Sequence, residues 1–235
     1  MGYYGYGMMY WDRTYILVII GLIITMVASS KVKTTYARYQ KVKNHSGITA
    51  AEAADRILRG AGIYDVQIRH ISGNLTDNYD PRNKVLNLSD STYQSTSVAA
   101  IGVAAHECGH AMQHDQGYVP LQVRGAIVPV VNFGSMLSWP VILVGVLLSF
   151  NQTLITVGIL MFSLTVLFHL ITLPVEFDAS GRALRVLGSS GILYENEVAG
   201  AKKVLSAAAM TYVAAAAASL LQLLRLLLLF GRRRN

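Results

Sequence analysis

Two histidines and a glutamate within five residues give this chain the pattern of a metal site with its own base. His106 and His110 are four residues apart, so on a helix they share one face and can direct two imidazole nitrogens to one ion. Glu107 lies one step round the helix, where its carboxylate can act on a water molecule without occupying a ligand position. The apolar run before the motif, residues 97–105, contains good helix formers. The pattern predicts a catalytic Zn²⁺ site, and two core histidines that merely share this spacing are the alternative.

A catalytic zinc needs a third protein ligand and an open position. His114 continues the same row, but helical rise places it about 12 Å from His106, so both cannot bind one ion. His114 is predicted to be a histidine at the helix end or a group that hydrogen-bonds to a metal ligand. Glu176 is the favoured third ligand and Asp178 its competitor. Both follow Pro174, which is predicted to end a hydrophobic span before a new helix begins.

Four other residues carry side chains with possible chemical or structural roles. Cys108 is the only cysteine, which excludes an intrachain disulfide, and helical geometry points it away from the ion as a small buried residue. His169 falls inside an apolar span, where it is either a hydrogen-bond donor at the substrate site or a neutral histidine that bonds a neighbouring helix. Asn132 and Arg124 are predicted to be structural, as an interhelical polar contact and an interface anchor.

The composition predicts a membrane protein. Hydrophobic residues make up 53% of the chain and charged residues only 14%, well below the roughly 25% of an ordinary soluble domain. Residues 15–30, 126–150 and 154–173 carry no Lys, Arg, Asp or Glu, and each approaches or exceeds the ~20 residues needed to cross a bilayer. A fourth apolar stretch, residues 205–230, is interrupted by Arg225. The sequence therefore predicts three to four transmembrane helices.

The distribution of basic residues predicts the orientation. The first span is expected to be a retained anchor and not a signal peptide, because Tyr10 and Trp11 form an interfacial aromatic pair before it. Five basic residues follow it without an acid among them: Lys31, Lys33, Arg38, Lys41 and Lys43. The turn at residues 151–153 has none, so residues 31–124 and the active site are placed in the cytoplasm. If the last hydrophobic segment crosses the membrane fully, the basic tail at residues 232–234 lies outside and breaks this rule. Whether that segment crosses stays open.

The region between the first span and the motif predicts a small α+β unit. Thr49 and Glu52 form a capping-box pattern at the start of a short helix. Residues 65–71 and 84–89 are predicted strands, and the intervening residues 73–81 are rich in turn formers. The second strand is either an ordinary hairpin strand or an edge that pairs with an extended substrate. The predicted fold is mainly α and integral to the membrane, with a cytoplasmic zincin-like α+β region that carries a small sheet.

The segments divide the chain into five parts. They are an N-terminal segment and first span (1–30), the cytoplasmic zincin-like region with the HExxH helix (31–125), two transmembrane helices (126–173), a third-ligand helix region (174–204), and a C-terminal hydrophobic helix with a basic tail (205–235).

Two separated motifs carry a family resemblance. The sequence HECGHAMQH at 106–114, with residues 120–134 and 168–180, resembles the YugP-type putative neutral zinc metallopeptidases of bacterial membranes, over essentially the whole chain. The resemblance implies an HExxH gluzincin, similar in layout to the HtpX and CAAX-type membrane proteases. Those carry Glu-x-x-Ala-Asp, which begins with the zinc-ligand Glu. Here Glu176 matches but Ser180 replaces the terminal Asp, so Asp178 is the candidate for the missing carboxylate behind the ligands.

These observations predict an integral-membrane, zinc-dependent endopeptidase of the bacterial plasma membrane, with Glu107 as its general base. Its partners would be a protein or peptide substrate and the lipid bilayer. The alternative is a non-proteolytic zinc-containing membrane adaptor or quality-control protein. A small-molecule transporter is disfavoured because the spans offer few polar groups. The net charge of +7 needs no nucleic-acid partner, because the basic residues cluster beside the membrane. The oligomeric state is not predicted.

Overall fold

Six helices and one small sheet form the computed structural model, which describes residues 12–231. The predicted aromatic pair Tyr10–Trp11 and the basic tail lie outside the described residues. In chain order the elements are α1 (Tyr15–Tyr39), α2 (Ala50–Gly60), β1 (Gln67–Ile71), β2 (Asn78–Asp80), β3 (Val85–Ser89), α3 (Val98–Asp115), α4 (Val119–Leu147), α5 (Gln152–Ser189) and α6 (Glu195–Phe230).

Four of these helices, α1, α4, α5 and α6, are long and apolar enough to cross a membrane. Helix α4 packs along α5, α5 along α6, and α6 along α1, so the four form a row with α1 and α4 at its ends. The guanidinium of Arg225 lies 4.2 Å from the ring centre of Tyr15, and Gln152 Nε2 donates a 3.3 Å hydrogen bond to Phe230 O. The end of α6 therefore lies with the beginnings of α1 and α5. Helix α6 runs antiparallel to α1, and its 36 residues make it long enough to cross a membrane.

The opposite end of the row carries α2, the sheet and α3. Strand β3 lies between β1, to which it is parallel, and β2, to which it is antiparallel. The two predicted strands are confirmed as β1 and β3, whereas β2 falls within the segment predicted to be turns. Of the two alternatives for residues 84–89, the hairpin strand is confirmed by the antiparallel pairing with β2, and the substrate-pairing edge is wrong, because β3 is paired on both sides. The edge strand that contacts α3 is β2.

Helix α3 is the centre of the core. One side of α2 and strand β3 pack against it, with Ile57, Leu86, Leu88 and Ile101 at most 1% exposed. The predicted capping box is present: Glu52 N donates to Thr49 Oγ1 at 3.2 Å, and Thr49 N donates to Glu52 Oε2 at 2.8 Å. Such a cap stabilises a helix by about 1 kcal/mol. Helix α2 and strand β3 together thus fix the position of the buried helix α3.

The prediction that Pro174 ends a span is wrong. Helix α5 continues through it as one helix of 38 residues. Proline removes one backbone donor and crowds the preceding turn, but buried residues on both sides of it, Thr172, Val175 and Glu176, hold the helix by packing. Prolines inside membrane helices are tolerated for this reason. Glu176 therefore lies within one unbroken helix, whose earlier part is the apolar span and whose later part packs against α3.

Candidate metal centre

A glycine lets α3 and α5 approach closely at the level of the motif. A Cβ atom placed on Gly109 would lie only 2.4 Å from the carbonyl oxygen of Ala179. Any side chain here would therefore push the two helices apart. Because Ala179 is three residues after Glu176, the close approach brings that carboxylate to the face of α3 that carries His106 and His110.

The three expected ligands converge in the structure. Nε2 of His106 lies 3.2 Å from Glu176 Oε2, and Nε2 of His110 lies 3.6 Å from the same oxygen. One ligand atom from each of the three residues falls within 4.8 Å of the others. A tetrahedral zinc with bonds of about 2.1 Å separates its ligands by about 3.4 Å, so this donor set fits a zinc ion.

Arg124 contacts the third candidate ligand directly. Its guanidinium donates a 2.9 Å hydrogen bond to Oε1 of Glu176, whose side chain is 3% exposed. This charge-assisted bond occupies one carboxylate oxygen and leaves Oε2 turned toward the histidines. The sequence-based interpretation of Arg124 as an interface anchor alone is therefore incomplete.

The second nitrogen of His106 has a hydroxyl partner. Nδ1 of His106 lies 3.1 Å from Ser180 Oγ, the residue that replaces the Asp of the related motif. When the Nδ1–H donates to this hydroxyl, Nε2 keeps its lone pair for a metal. A neutral hydroxyl orients the ring as a carboxylate would, but it adds less negative charge to the imidazole.

Gln113 fixes the tautomer of His110 and links it to Asp178. The Gln113 Nε2 donates to Val175 O at 2.8 Å and to Asp178 Oδ2 at 2.9 Å. Its Oε1 must therefore accept the 3.0 Å hydrogen bond from His110 Nδ1. This leaves the Nε2 lone pair of His110 aimed at Glu176 Oε2. Asp178 thus does not contact His110 directly: Gln113 connects the two through one hydrogen bond to each. Asp178 also accepts a hydrogen bond from Arg182.

The electrostatics of His110 favour a cation between the ligands. Burial lowers the pKa of His110, but its hydrogen bond to Glu176 and the charges of Glu107 and Glu176 outweigh this and raise the pKa. The imidazole nitrogen and the carboxylate oxygen are both acceptors when the histidine is neutral. A proton or a metal ion is needed to hold them together.

Two cavities flank the ligands. One has a volume of about 490 Å³ and the other of about 220 Å³. Glu107, which is 8% exposed, lines both, as does Tyr212 of α6. The larger cavity reaches Tyr79 of β2 and Arg82, whereas the smaller has apolar walls such as Val204. The carboxylate of Glu107 therefore faces the space in which a bound molecule would meet the metal.

The remaining predicted residues lie away from the ligand cluster. His114 accepts or donates a 2.8 Å bond between its Nδ1 and Tyr79 Oη. Burial, followed by the charges of Asp65 and Asp80, raises the pKa of Tyr79 to about 12, so the phenol in this contact stays protonated. His114 thereby ties the end of α3 to β2, which agrees with its prediction as a helix-end histidine.

His169 and Cys108 have no place in the cluster of ligand atoms. His169 is half-buried on the same face of the unbroken α5 as Glu176, seven residues and about 10 Å before it. His169 does not line either of the two cavities that flank the metal ligands. Cys108 is fully buried with its Sγ 3.7 Å from Ala54 O, and burial raises the pKa of its thiol. Its position confirms a buried packing role.

Three residues in this site were missed by sequence reasoning: Gln113, Arg124 and Tyr212. Gln113 could have been found, because it lies three residues after His110 on the same helical face. Arg124 and Tyr212 come from α4 and α6, and no spacing in the sequence relates them to the motif.

Comparison with known proteins gives two matches. A family model described as "Putative neutral zinc metallopeptidase" matches residues 14–231. The chain is also 48% identical over 197 residues to "Putative membrane protease YugP" of Bacillus subtilis (strain 168), which covers 84% of this chain and 87% of that protein. No solved structure matches the chain.

Proposed function

The chain belongs to the putative neutral zinc metallopeptidase family, and we propose that it is an integral-membrane zinc endopeptidase. Its substrates would be membrane or membrane-associated proteins. The observation that carries the proposal is the convergence of His106, His110 and Glu176 on one point beside the carboxylate of Glu107. A purely structural zinc site has no need of a base and closes its fourth position with a ligand.

The proposed mechanism assigns one role to each residue. His106, His110 and Glu176 would hold the zinc ion. The ion would supply positive charge that polarises the scissile carbonyl and makes a water molecule more acidic. Glu107 would accept a proton from that water as its oxygen bonds to the carbonyl carbon. Glu107 would then pass the proton to the amine nitrogen as the C–N bond breaks.

Two residues would support this chemistry from neighbouring helices. Arg124 would keep Glu176 in the orientation that the ligand position requires, through its bond to Oε1. Tyr212 lines both cavities, and its phenol would donate to the carbonyl oxygen as negative charge develops there. Ser180, Gln113 and, through Gln113, Asp178 would orient the two imidazoles.

The edge strand β2 would align the substrate. Asn78 and Tyr79 of β2 line the larger cavity together with the metal ligands, and β2 pairs with β3 on one side only. An extended peptide could pair with the other edge of β2 and place its backbone across the ligands. Residues 78–80, and not residues 84–89, would therefore form the edge that pairs with the substrate.

The active site would face the cytoplasm of a bacterial cell. The end of the helix row that carries the metal centre also carries Lys31, Lys33, Arg38 and Lys41, and the turn at the other end, residues 151–153, has no basic residue. The beginning of α1 and the end of α6 would then lie on the outer side of the membrane. In the proposed five-part division of the chain, residues 31–125 and 174–204 would form the cytoplasmic catalytic region. Reporter fusions at the turn and after residue 44 would test this orientation.

The substitution Glu107→Gln tests the proposal. The variant should retain about one zinc per chain and its thermal stability, while hydrolysis of casein or a peptide falls to background. Glu176→Ala, measured beside it, should lose most of its zinc as well. Unchanged hydrolysis by Glu107→Gln would remove Glu107 from its role. Stoichiometric zinc in all variants without hydrolysis by the parent would favour the membrane adaptor instead.

A further inference from the structure

A basic groove lies between α1 and α6, and it shares no lining residue with the two cavities beside the metal ligands. Its volume is about 710 Å³, and its lining includes Lys31 and Arg38 of α1 with Lys202 and Lys203 of α6. A different face of α1 carries Val32 and Tyr36, and these two residues line the smaller cavity beside the metal ligands. The pair α1–α6 is therefore a wall between two different sites.

The four cations of the basic groove are not neutralised by the described part of the chain. No carboxylate lines the groove among the residues that the structure describes. None of the four takes part in the ion pairs found between residues 12 and 231. Four like charges on one surface repel one another, and an anion placed between them relieves this repulsion.

The walls of the basic groove hold two of the cations in place. The Arg38 guanidinium lies 5.8 Å and the Lys203 ammonium 6.0 Å from the ring centre of Tyr39. That ring rests on Gly200, where an added Cβ would lie 2.9 Å from it. The contact fixes the end of α1 against α6, so cations from both helices are presented to one ligand.

The position and lining of the groove fit an amphipathic anion. Lys31 is the first charged residue after the uncharged residues 14–30, and Lys203 is the last before the uncharged residues 204–224. The groove therefore lies where the apolar part of both helices ends. Hydroxyls such as Ser206 lie among the cations, whereas Met210 lines it toward the apolar side. The groove therefore offers cations and a hydroxyl for a phosphate group and, next to them on the apolar side, a contact for an acyl chain.

We propose that the basic groove binds an anionic phospholipid of the surrounding bilayer. Its headgroup phosphate contacts Lys31 and Arg38 on one helix and Lys202 and Lys203 on the other, and an acyl chain lies along Met210. The bound lipid bridges α1 and α6 and stabilises the wall that carries Tyr212 and Tyr36 on its other face. Neither the metal centre nor the proposed hydrolysis is needed for this binding.

The test uses the full chain purified in a neutral detergent and titrated with dioleoyl-phosphatidylglycerol, with the thermal unfolding midpoint as readout. The midpoint should rise with this lipid and not with dioleoyl-phosphatidylcholine. The variant Lys202→Gln/Lys203→Gln should need at least about tenfold more lipid for half the effect, since hydrogen bonds to charged groups are lost. Native mass spectrometry should show fewer retained phosphatidylglycerol molecules on this variant.

The chain offers a matched control. Lys33 and Lys41 are exposed lysines that do not line the groove, so Lys33→Gln/Lys41→Gln makes the same charge change and should alter the titration less than about twofold. Equal weakening by both double variants would mean diffuse attraction and overturn the proposal. Equal stabilisation by phosphatidylcholine, or by inorganic phosphate alone at the same concentration, would overturn it too. Lys31→Gln against Lys33→Gln repeats the comparison on α1.

Discussion

The substitution Gly109→Ala should damage the metal centre by separating α3 from α5. The new Cβ would lie 2.4 Å from the Ala179 oxygen, 3.0 Å from its carbonyl carbon and 3.1 Å from its Cα, whereas ordinary contact begins at 3.4 Å. All three atoms are backbone, so the helices must separate by about 1 Å. Zinc bonds tolerate deviations of only about 0.2 Å, and Glu176 lies one turn before Ala179.

The expected effect on zinc is larger than the effect on folding. Overpacking costs about 1–3 kcal/mol, and the higher helix propensity of alanine returns up to about 1 kcal/mol. The folded protein should therefore persist, with a free energy of unfolding lowered by about 0–3 kcal/mol. Zinc affinity should fall at least about tenfold, the lower bound seen when ligand positioning is disturbed.

Competition with a chromophoric zinc chelator measures this affinity, and thermal unfolding of the same samples measures stability. The control is Gly188→Ala, because Gly188 lies on α5, the helix of Ala179 and Glu176, and an added Cβ there meets nothing within 4 Å. It should keep the parental zinc affinity. If Gly109→Ala also bound zinc with parental affinity, the close approach would not be what places Glu176.

Three further changes test the remaining parts of the site. Gln113→Met keeps the volume of the side chain but removes the acceptor for the Nδ1–H of His110, and zinc affinity should fall about 10–100-fold in the chelator assay. Tyr212→Phe removes only the phenolic oxygen, so kcat of peptide hydrolysis should fall about 10²–10³-fold while zinc content stays at one; an unchanged kcat would remove Tyr212 from the reaction. Zinc affinity should also decline on acidification, because a proton on His110 competes with the ion. Since the pKa of His110 is raised, the decline should begin above about pH 6.5 and approach tenfold per pH unit below that pKa, and a flat profile from about pH 5.5 to 8.5 would contradict it.

The sequence alone was sufficient for the parts of the protein that follow local rules. The i, i+4 spacing of His106 and His110, the capping box at Thr49 and the charge-free spans each depend on neighbours within a few residues. These features predict element type well because helix geometry and burial in lipid act locally.

Other features depend on tertiary contacts that no spacing encodes. Pro174 should end a helix by local rules, but packing of α5 on both sides of it keeps the helix intact. Strand β2 has only three residues, none strongly apolar, and it exists because it pairs with β3. Arg124 follows the pattern of an interface anchor in the sequence. Its hydrogen bond to Glu176 forms only because α4 packs against α5.

The ligand set also imposes an order on the biogenesis of the protein. His106 and His110 precede the hairpin formed by α4 and α5, and Glu176 lies near the far end of that hairpin. During synthesis the nascent chain contains the two histidines and the base before the third ligand exists. The set is completed only when both hairpin helices have been inserted and have folded back on α3. The proposed proteolytic centre would therefore stay incomplete on the ribosome and in the cytosol, and its completion would be coupled to membrane insertion.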